Sequence, residues 1–378
     1  MTSEQPNLLV TILSFLLVIG PLIFIHELGH YYVGRWFGVK AETFSIGFGR
    51  EIAGWTDKRG TRWKIGWLPL GGYVKFKGDM NPASQPSDEW LTLPPEERAE
   101  TFQAKKLWQR FLIVAAGPVT NFLFAILLFM GIFAVIGYPT SPAIVTGVVA
   151  GGPADRAGVA PGDRIVEMNG RGIRNFAEVQ DYVLLRPEQP LQLVVERGER
   201  RLPLPVTTGA RLASDSFGNK AKIGTLGVTS TALELEKLPL SELPGQAVRQ
   251  TAQTVQGMVV TLGQLITGQR SVKELGGPLK IAQISGQQAS LGWLPFLWLM
   301  TVISINLGFI NLLPIPLLDG GHLLFYTIEG VRRKPLRPEA QEWAFRTGLA
   351  ALLALMIFVT LNDLASFGVW TRLGGLIG

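Results

Sequence analysis

Apolar residues in this chain gather in four long runs, with mixed or polar sequence between them. Residues 8–25 contain nothing more polar than Thr11 and Ser14, and the pattern continues helically to Phe37. Residues 111–138, 291–313 and 344–361 form three further runs. Each is long enough to cross about 30 Å of hydrocarbon as a helix. The first run lacks a preceding basic residue and a following small-residue cleavage site, so we expect a retained span and not a signal peptide. Elsewhere the period changes. Phe44, Ile46 and Phe48 alternate with small or polar residues, as do Trp63, Ile65 and Trp67, with "TDKRG" as a turn between them. This predicts a β-hairpin over 43–78. Its aromatic side either dips into the bilayer surface or rests on the helices.

Residues 141–230 carry short strand-like runs separated by Gly, Pro and Asp, with a short helix at 153–157 and a hairpin around 197–199. They predict one small α+β domain. In 235–290, Val248, Ala252, Val255, Val259, Leu262 and Ile266 recur at helical spacing. That amphipathic helix packs on the small domain or lies on the membrane. The expected order is therefore a first transmembrane helix (1–37), a loop with the membrane-associated hairpin (38–107), a second helix (108–138), the inserted domain, the amphipathic region, a third segment (291–325) and a fourth helix (344–362). The fold class is a polytopic α-helical membrane protein of about four transmembrane helices.

Charge orients it. The start "MTSEQPN" has no Lys or Arg, whereas the loop after the first run and "VRRKPLRPEAQEWAFR" are basic. Positive-inside puts those loops in the cytoplasm and both termini and the inserted domain outside. The net charge of +6 might suggest nucleic acid, but residues 40–106 hold eleven Lys/Arg against nine Asp/Glu. That balance is too even for a phosphate-binding face, so we expect no nucleic-acid partner. There is no cysteine, which excludes disulfides, thiolate ligands and a cysteine nucleophile.

The chemistry lies at the polar end of the first run, "IFIHELGHYY". His26 and His30 are four apart and share a helix face, while Glu27 stands one position aside. H-E-x-x-H on a helix suits two imidazoles on one zinc ion, with the glutamate as general base. Ionisable groups at the end of an apolar helix are costly and functional by default. A hydrolytic zinc site needs a third ligand. "INLGFINLLPIPLLDGGHLLF", residues 305–325, offers Asp319 and His322 at the same cytoplasmic end. Pro314 and Pro316 deny a continuous helix there. Asp319 could instead cap a following helix, and His322 could support the site through a hydrogen bond.

"HELGH" together with "NLLPIPLLDGGH" resembles the site-2 protease family of intramembrane zinc metalloproteases. "AAGPVTNFLFA" in the second run and the insert, which looks like a PDZ domain, resemble it too. The order of parts is similar to its bacterial regulator-of-sigma-E branch, although only one PDZ-like unit fits here where enterobacterial members carry two. The resemblance implies His26, His30 and Asp319 as ligands of one Zn2+ and Glu27 as catalytic base. It implies substrate-binding or oxyanion roles for Asn306 and Asn311, and supporting roles for His322, Pro314, Pro316, Gly117 and Asn121. It also implies that the hairpin holds the substrate as an added strand. The activity implied is cleavage of single-span membrane proteins in regulated intramembrane proteolysis, a stress-response function. The implied substrates are a pre-trimmed anti-sigma factor and remnant signal peptides. The PDZ-like unit would bind a peptide or a C-terminus, with "KIGTLGVTS" as its binding strand. The contrasting reading is a membrane-bound PDZ adaptor with a non-proteolytic metal site.

Overall fold

The computed structural model describes residues 7–79, 92–214, 220–272 and 276–366. They form two units, residues 1–132 with 241–378 and residues 133–240.

The helical unit begins with α1 (Leu8–Trp36), whose N-terminus is capped by the Asn7 side chain accepting from Leu9 N. Val18, Leu22, His26 and Gly29 lie on its buried side, while Leu9, Leu13 and Leu17 face outward. Such one-sided burial of an apolar helix is what lipid permits. Next come β1 (Ala41–Thr56) and β2 (Arg62–Phe76), an antiparallel pair that folds over on itself. Phe44 is aligned with Val74 on one edge and with Trp63 on the other. The fold-over needs Gly47, at φ +87°, where a Cβ would lie 2.8 Å from the Gly66 carbonyl oxygen. Phe44 stacks on Trp63 with centroids 4.3 Å apart, in a core with Tyr31, Phe76, Phe102 and Ile113. Ile52, Trp55 and Trp67 remain exposed. A short α2 (Pro95–Ala99) precedes α3 (Leu107–Val135), which runs through Pro118.

The second unit is built from β3 (Tyr138–Thr140), β4 (Gly147–Val148), α4 (Pro153–Arg156), β5 (Arg164–Met168), β6 (Arg171–Gly172), α5 (Phe176–Leu184), β7 (Pro190–Arg197), β8 (Arg200–Thr207), β9 (Gly209–Ser214), β10 (Lys220–Thr225), β11 (Val228–Thr229) and β12 (Glu234–Glu236). One sheet has the order β6-β5-β7-β8, and β9–β10, β4–β11 and β3–β12 pair separately. Leu191, Leu193 and Val195 alternate inward along β7 and join Val145, Ile165 and Met168 in the core. Asn175 caps α5 by accepting from Glu178 N. Pairing of β3 with β12 closes the unit where the chain enters and leaves it.

The chain returns to the helical unit in α6 (Leu243–Ile266), α7 (Pro278–Ser290), α8 (Trp293–Leu312), α9 (Asp319–Arg332) and α10 (Pro338–Ser366). Two helices thus occupy 235–290, where periodicity had shown one. The packed row of α6 is Leu243, Ala247 and Thr251, and Val248, Val259 and Ile266 point outward. The apolar row read from the sequence is thus not the side of α6 that packs in the helical unit. Asp363 of α10 accepts from Gly277 N and Lys280 N, capping α7 from another helix. Among the described residues four helices, α1, α3, α8 and residues 339–365 of α10, are long and apolar enough to cross a membrane.

Candidate metal centre

His26 and His30 project from one face of α1 with their Nε2 atoms 3.3 Å apart. Asp319 opens α9 and brings its Oδ2 to 3.1 Å from His26 Nε2 and 3.5 Å from His30 Nε2. Three donors about 2.0–2.1 Å from one tetrahedral ion would stand about 3.3–3.4 Å apart, close to this triangle. Among the described residues, these three alone form a metal-sized cluster of His, Asp or Glu donors. Asp319 Oδ2 is buried and accepts no hydrogen bond. A carboxylate oxygen desolvated in this way needs a cation. Two imidazoles and one carboxylate are a hydrolytic zinc donor set, so the residues fit the ion.

The backbone explains how Asp319 gets there. Pro314 and Pro316 cannot supply the N–H groups that would extend α8. A succession of tight turns follows, from Ile315 N to Leu313 O and from Leu318 N to Ile315 O, with Leu317 at φ +82°. The first turn of α9 then presses on the end of α8. A Cβ on Gly320 would lie 2.1 Å from the Leu313 carbonyl oxygen, and one on Gly321 would lie 2.5 Å from that of Ile315. The N-cap of α9 is Leu318, without a side-chain cap bond. Asp319 is therefore the first helical residue and not a cap, and its carboxylate is available to the histidines.

The imidazoles are set from behind by one face of α3. His30 Nδ1 is 2.9 Å from the Ile113 carbonyl oxygen, which can only accept. Asn121 Nδ2 lies 3.0 Å from His26 Nδ1. Between them Gly117 makes room, since a Cβ there would be 2.2 Å from His30 Nε2 and 2.9 Å from His26 Cε1. Residues 113, 117 and 121 are one turn apart each, so a single stripe serves both rings. From α1, Gly29 matches this close approach: its Cβ would lie 2.5 Å from the Ala116 carbonyl oxygen. Thr120 Oγ1 also donates to Ile25 O across the pair. Ile113, Gly29 and Thr120 escaped the sequence reading. A backbone carbonyl leaves no residue signature, and only the small residue inside "HELGH" hinted at close packing.

Glu27 is buried beside the donor triangle but does not join it. It lines a cavity of about 370 Å³ with Gly71, Gly72, Asn311, Asp319 and His322. Gly72 presses β2 against α1, and a Cβ there would meet Glu27 Cγ at 2.9 Å. Residues 72–75 pair with β1 on one side only, so this strand edge comes to the cavity with backbone groups unpaired by the sheet. The ring of His322 lies 5.2 Å from that of Phe345 and 6.3 Å from that of Tyr326, outside the donor triangle. Asn311 reaches the cavity; Asn306, five residues earlier on α8, does not line it.

A family model described as Peptidase family M50 matches residues 14–355. A protein of Agrobacterium fabrum with a provisional zinc-metalloprotease name is 44% identical over 94% of this chain and 96% of that one. A Rhizobium meliloti protein with the same kind of name is 43% identical, over 95% and 97%. Metalloprotease MmpA of Caulobacter vibrioides is 38% identical, over 97% and 98%. Among solved structures, the PDZ domain of an SdrC-like protein from Listeria monocytogenes covers 24% of this chain and 88% of its own, at 20% identity and a TM-score of 0.19.

Proposed function

This chain belongs to peptidase family M50 and is a zinc metalloprotease of the site-2 type; from that premise we propose that it cuts peptide bonds inside the membrane-spanning segments of single-span proteins. The observation that carries the reading is the placement of His26, His30, Asp319 and Glu27 around one cavity at the ends of apolar helices. A protease for soluble substrates has no need to put its site there.

In this reading His26, His30 and Asp319 hold the zinc. Bound zinc supplies an acidified water and a polarised carbonyl. Glu27 takes a proton from the attacking water on its carboxylate and delivers it to the leaving amine nitrogen. Asn311 donates its amide N–H to the substrate backbone or to the developing oxyanion; Asn306, the other asparagine assigned that role, does not line the cavity, which favours Asn311. Pro314, Pro316 and the two glycines after Asp319 keep that carboxylate aimed at the histidines, and His322 supports the cavity wall. A substrate helix hides its carbonyls until it unwinds. The free edge at residues 72–75 offers the unwound backbone a partner strand.

The insert acts as a PDZ-like peptide reader. Its β11 pairs only with β4 among the described strands, leaving an edge for an extended peptide or a new C-terminus. The chain sits in the inner membrane with both termini and the insert periplasmic and the metal centre toward the cytoplasm. The exposed Arg332, Arg333 and Lys334 at the end of α9 support that orientation. A pre-trimmed anti-sigma factor and remnant signal peptides are the substrates we assign to it, within a stress response.

The test is cleavage of a single-span reporter, trimmed on its outer side, in purified membranes. Cleavage is expected with the wild-type chain and lost both in Glu27→Gln and after zinc chelation. Cleavage that survives Glu27→Gln would overturn the mechanism. Absence of wild-type cleavage on several weak-helix reporters would favour a PDZ adaptor.

A further inference from the structure

We infer that Asn121 is a positioning residue that supplies the acceptor for the zinc-ligating tautomer of His26 and thereby sets how tightly the centre holds zinc. The inference rests on His26, His30 and Asp319 being the ligands. Asn121 is fully buried on α3, and its backbone carbonyl accepts from Ser304 Oγ of α8 at 2.8 Å. The residue is thus held by two helices while its amide faces a third. Its Nδ2 lies 3.0 Å from His26 Nδ1, and its Oδ1 is buried without a hydrogen-bond partner.

Those facts conflict with one state of the ring and agree with another. His26 Nε2 faces Asp319 Oδ2 and His30 Nε2. To offer a lone pair from Nε2, the neutral ring must carry its proton on Nδ1. That proton needs an acceptor, and Asn121 is the hydrogen-bond partner of Nδ1. The two ends of an amide have the same shape, so the end that faces the ring follows the ring's proton. Turned over, Oδ1 accepts from Nδ1–H, and the oxygen left without a partner acquires one.

His30 is fixed differently. Its Nδ1 meets the Ile113 carbonyl oxygen, which accepts in every state. One ligand therefore has a permanent acceptor and the other a reversible one. The amide lets His26 keep its hydrogen bond with the proton on either nitrogen, so the ring is not stranded when the metal leaves. A carboxylate at 121 would bias the ring toward the ligating tautomer; an aliphatic side chain would bias it toward neither.

The experiment measures zinc affinity of the full-length protein in detergent, by competition with a chromophoric chelator, for wild type, Asn121→Leu, Asn121→Asp and His26→Ala. Asn121→Leu is expected to bind zinc about 10–100-fold more weakly. Asn121→Asp, which can only accept, is expected to match or exceed the wild type. Equal affinity in wild type and Asn121→Leu overturns the inference. So does a loss in Asn121→Asp as large as that in Asn121→Leu, which would mean that the amide serves by donating. Should Asn121→Leu fail to fold, Asn121→Asp decides alone: affinity at or above the wild type upholds the inference, and weaker binding overturns it. His26→Ala separates the two levels: if it keeps wild-type affinity, the ligand assignment itself fails.

Discussion

Two largely buried carboxylates, Asp163 in the insert and Asp319 in the helical unit, are treated in opposite ways. In the insert, Asp163 is nearly inaccessible and is clasped at the rim of an apolar core. Arg197 donates to it through Nε and Nη2 at 2.7 and 2.8 Å, and Ala160 N donates at 2.9 Å. Every bond there serves the fold. In the helical unit, Asp319 faces two imidazoles, Glu27 is buried next to them, and one oxygen of Asp319 lacks any hydrogen bond. A cluster like that is a cost to stability. The comparison separates a charge whose bonds serve the fold from charges that, on the proposed reading, serve an ion and a reaction.

Substitutions can break this contrast. The largest effect is expected from Asp319→Ala: zinc is lost and cleavage disappears, yet the metal-free protein unfolds at the same or a higher temperature than the wild type. A clear drop in that temperature would make Asp319 a structural residue like Asp163. Glu27→Gln should slow cleavage by about 10²–10⁴-fold while the zinc-to-protein ratio stays at wild type, as metal analysis of the purified variant would show. Gly117→Ala puts a methyl against both rings, and a displacement near 1 Å costs about 10²-fold in rate. Reporter cleavage at wild-type speed would show that the stripe on α3 does not set the imidazoles.

The smallest effect is in the insert. Asp163→Ala should cost it about 1–3 kcal/mol, read from hydrogen exchange of its amides in the full chain, with the zinc site unchanged. Burial alone would raise the Asp163 carboxyl, but its hydrogen bonds from Arg197 and Ala160 and the charge of Arg197 outweigh burial and hold it below the usual range. Its contribution is complete above the unfolded carboxyl value of about 3.9 and is lost as pH falls through the lower folded value. Asp163→Asn should therefore flatten the acid end of the insert's stability profile. An unchanged slope there would mean that another group carries it.

What could be read in advance follows from how the information is written. Apolar runs long enough to span are visible because lipid demands them without interruption. The shared face of His26 and His30 is visible because a four-residue spacing has one meaning on a helix. The paired prolines announce a break before Asp319, but not that Leu318 takes the cap position and leaves the carboxylate free. The fold-over of β1 and β2 was hidden: alternation shows strands, and only pairing shows that Phe44 has neighbours on both edges. The amphipathic period of residues 248–266 lies wholly within α6, so it carried no signal for α7. The stripe on α3 could be read only in part. Gly117 and Asn121 stand out as a glycine and an amide in an apolar run, but the Ile113 carbonyl belongs to the backbone and would be there with any side chain.

The dependence of both imidazoles on α3 has a consequence in time. His26 and Asp319 are separated by nearly three hundred residues of chain. At about 5–20 residues per second, the carboxylate emerges from the ribosome roughly 15–60 s after the histidines. During that interval α1 has its two histidines but not the carboxylate proposed as their third partner. The Ile113 carbonyl and the Asn121 amide arrive less than a hundred residues after His30, early enough to shelter the rings. The hydrogen-bond partners of both rings are thus synthesised well before the carboxylate that completes the proposed donor set.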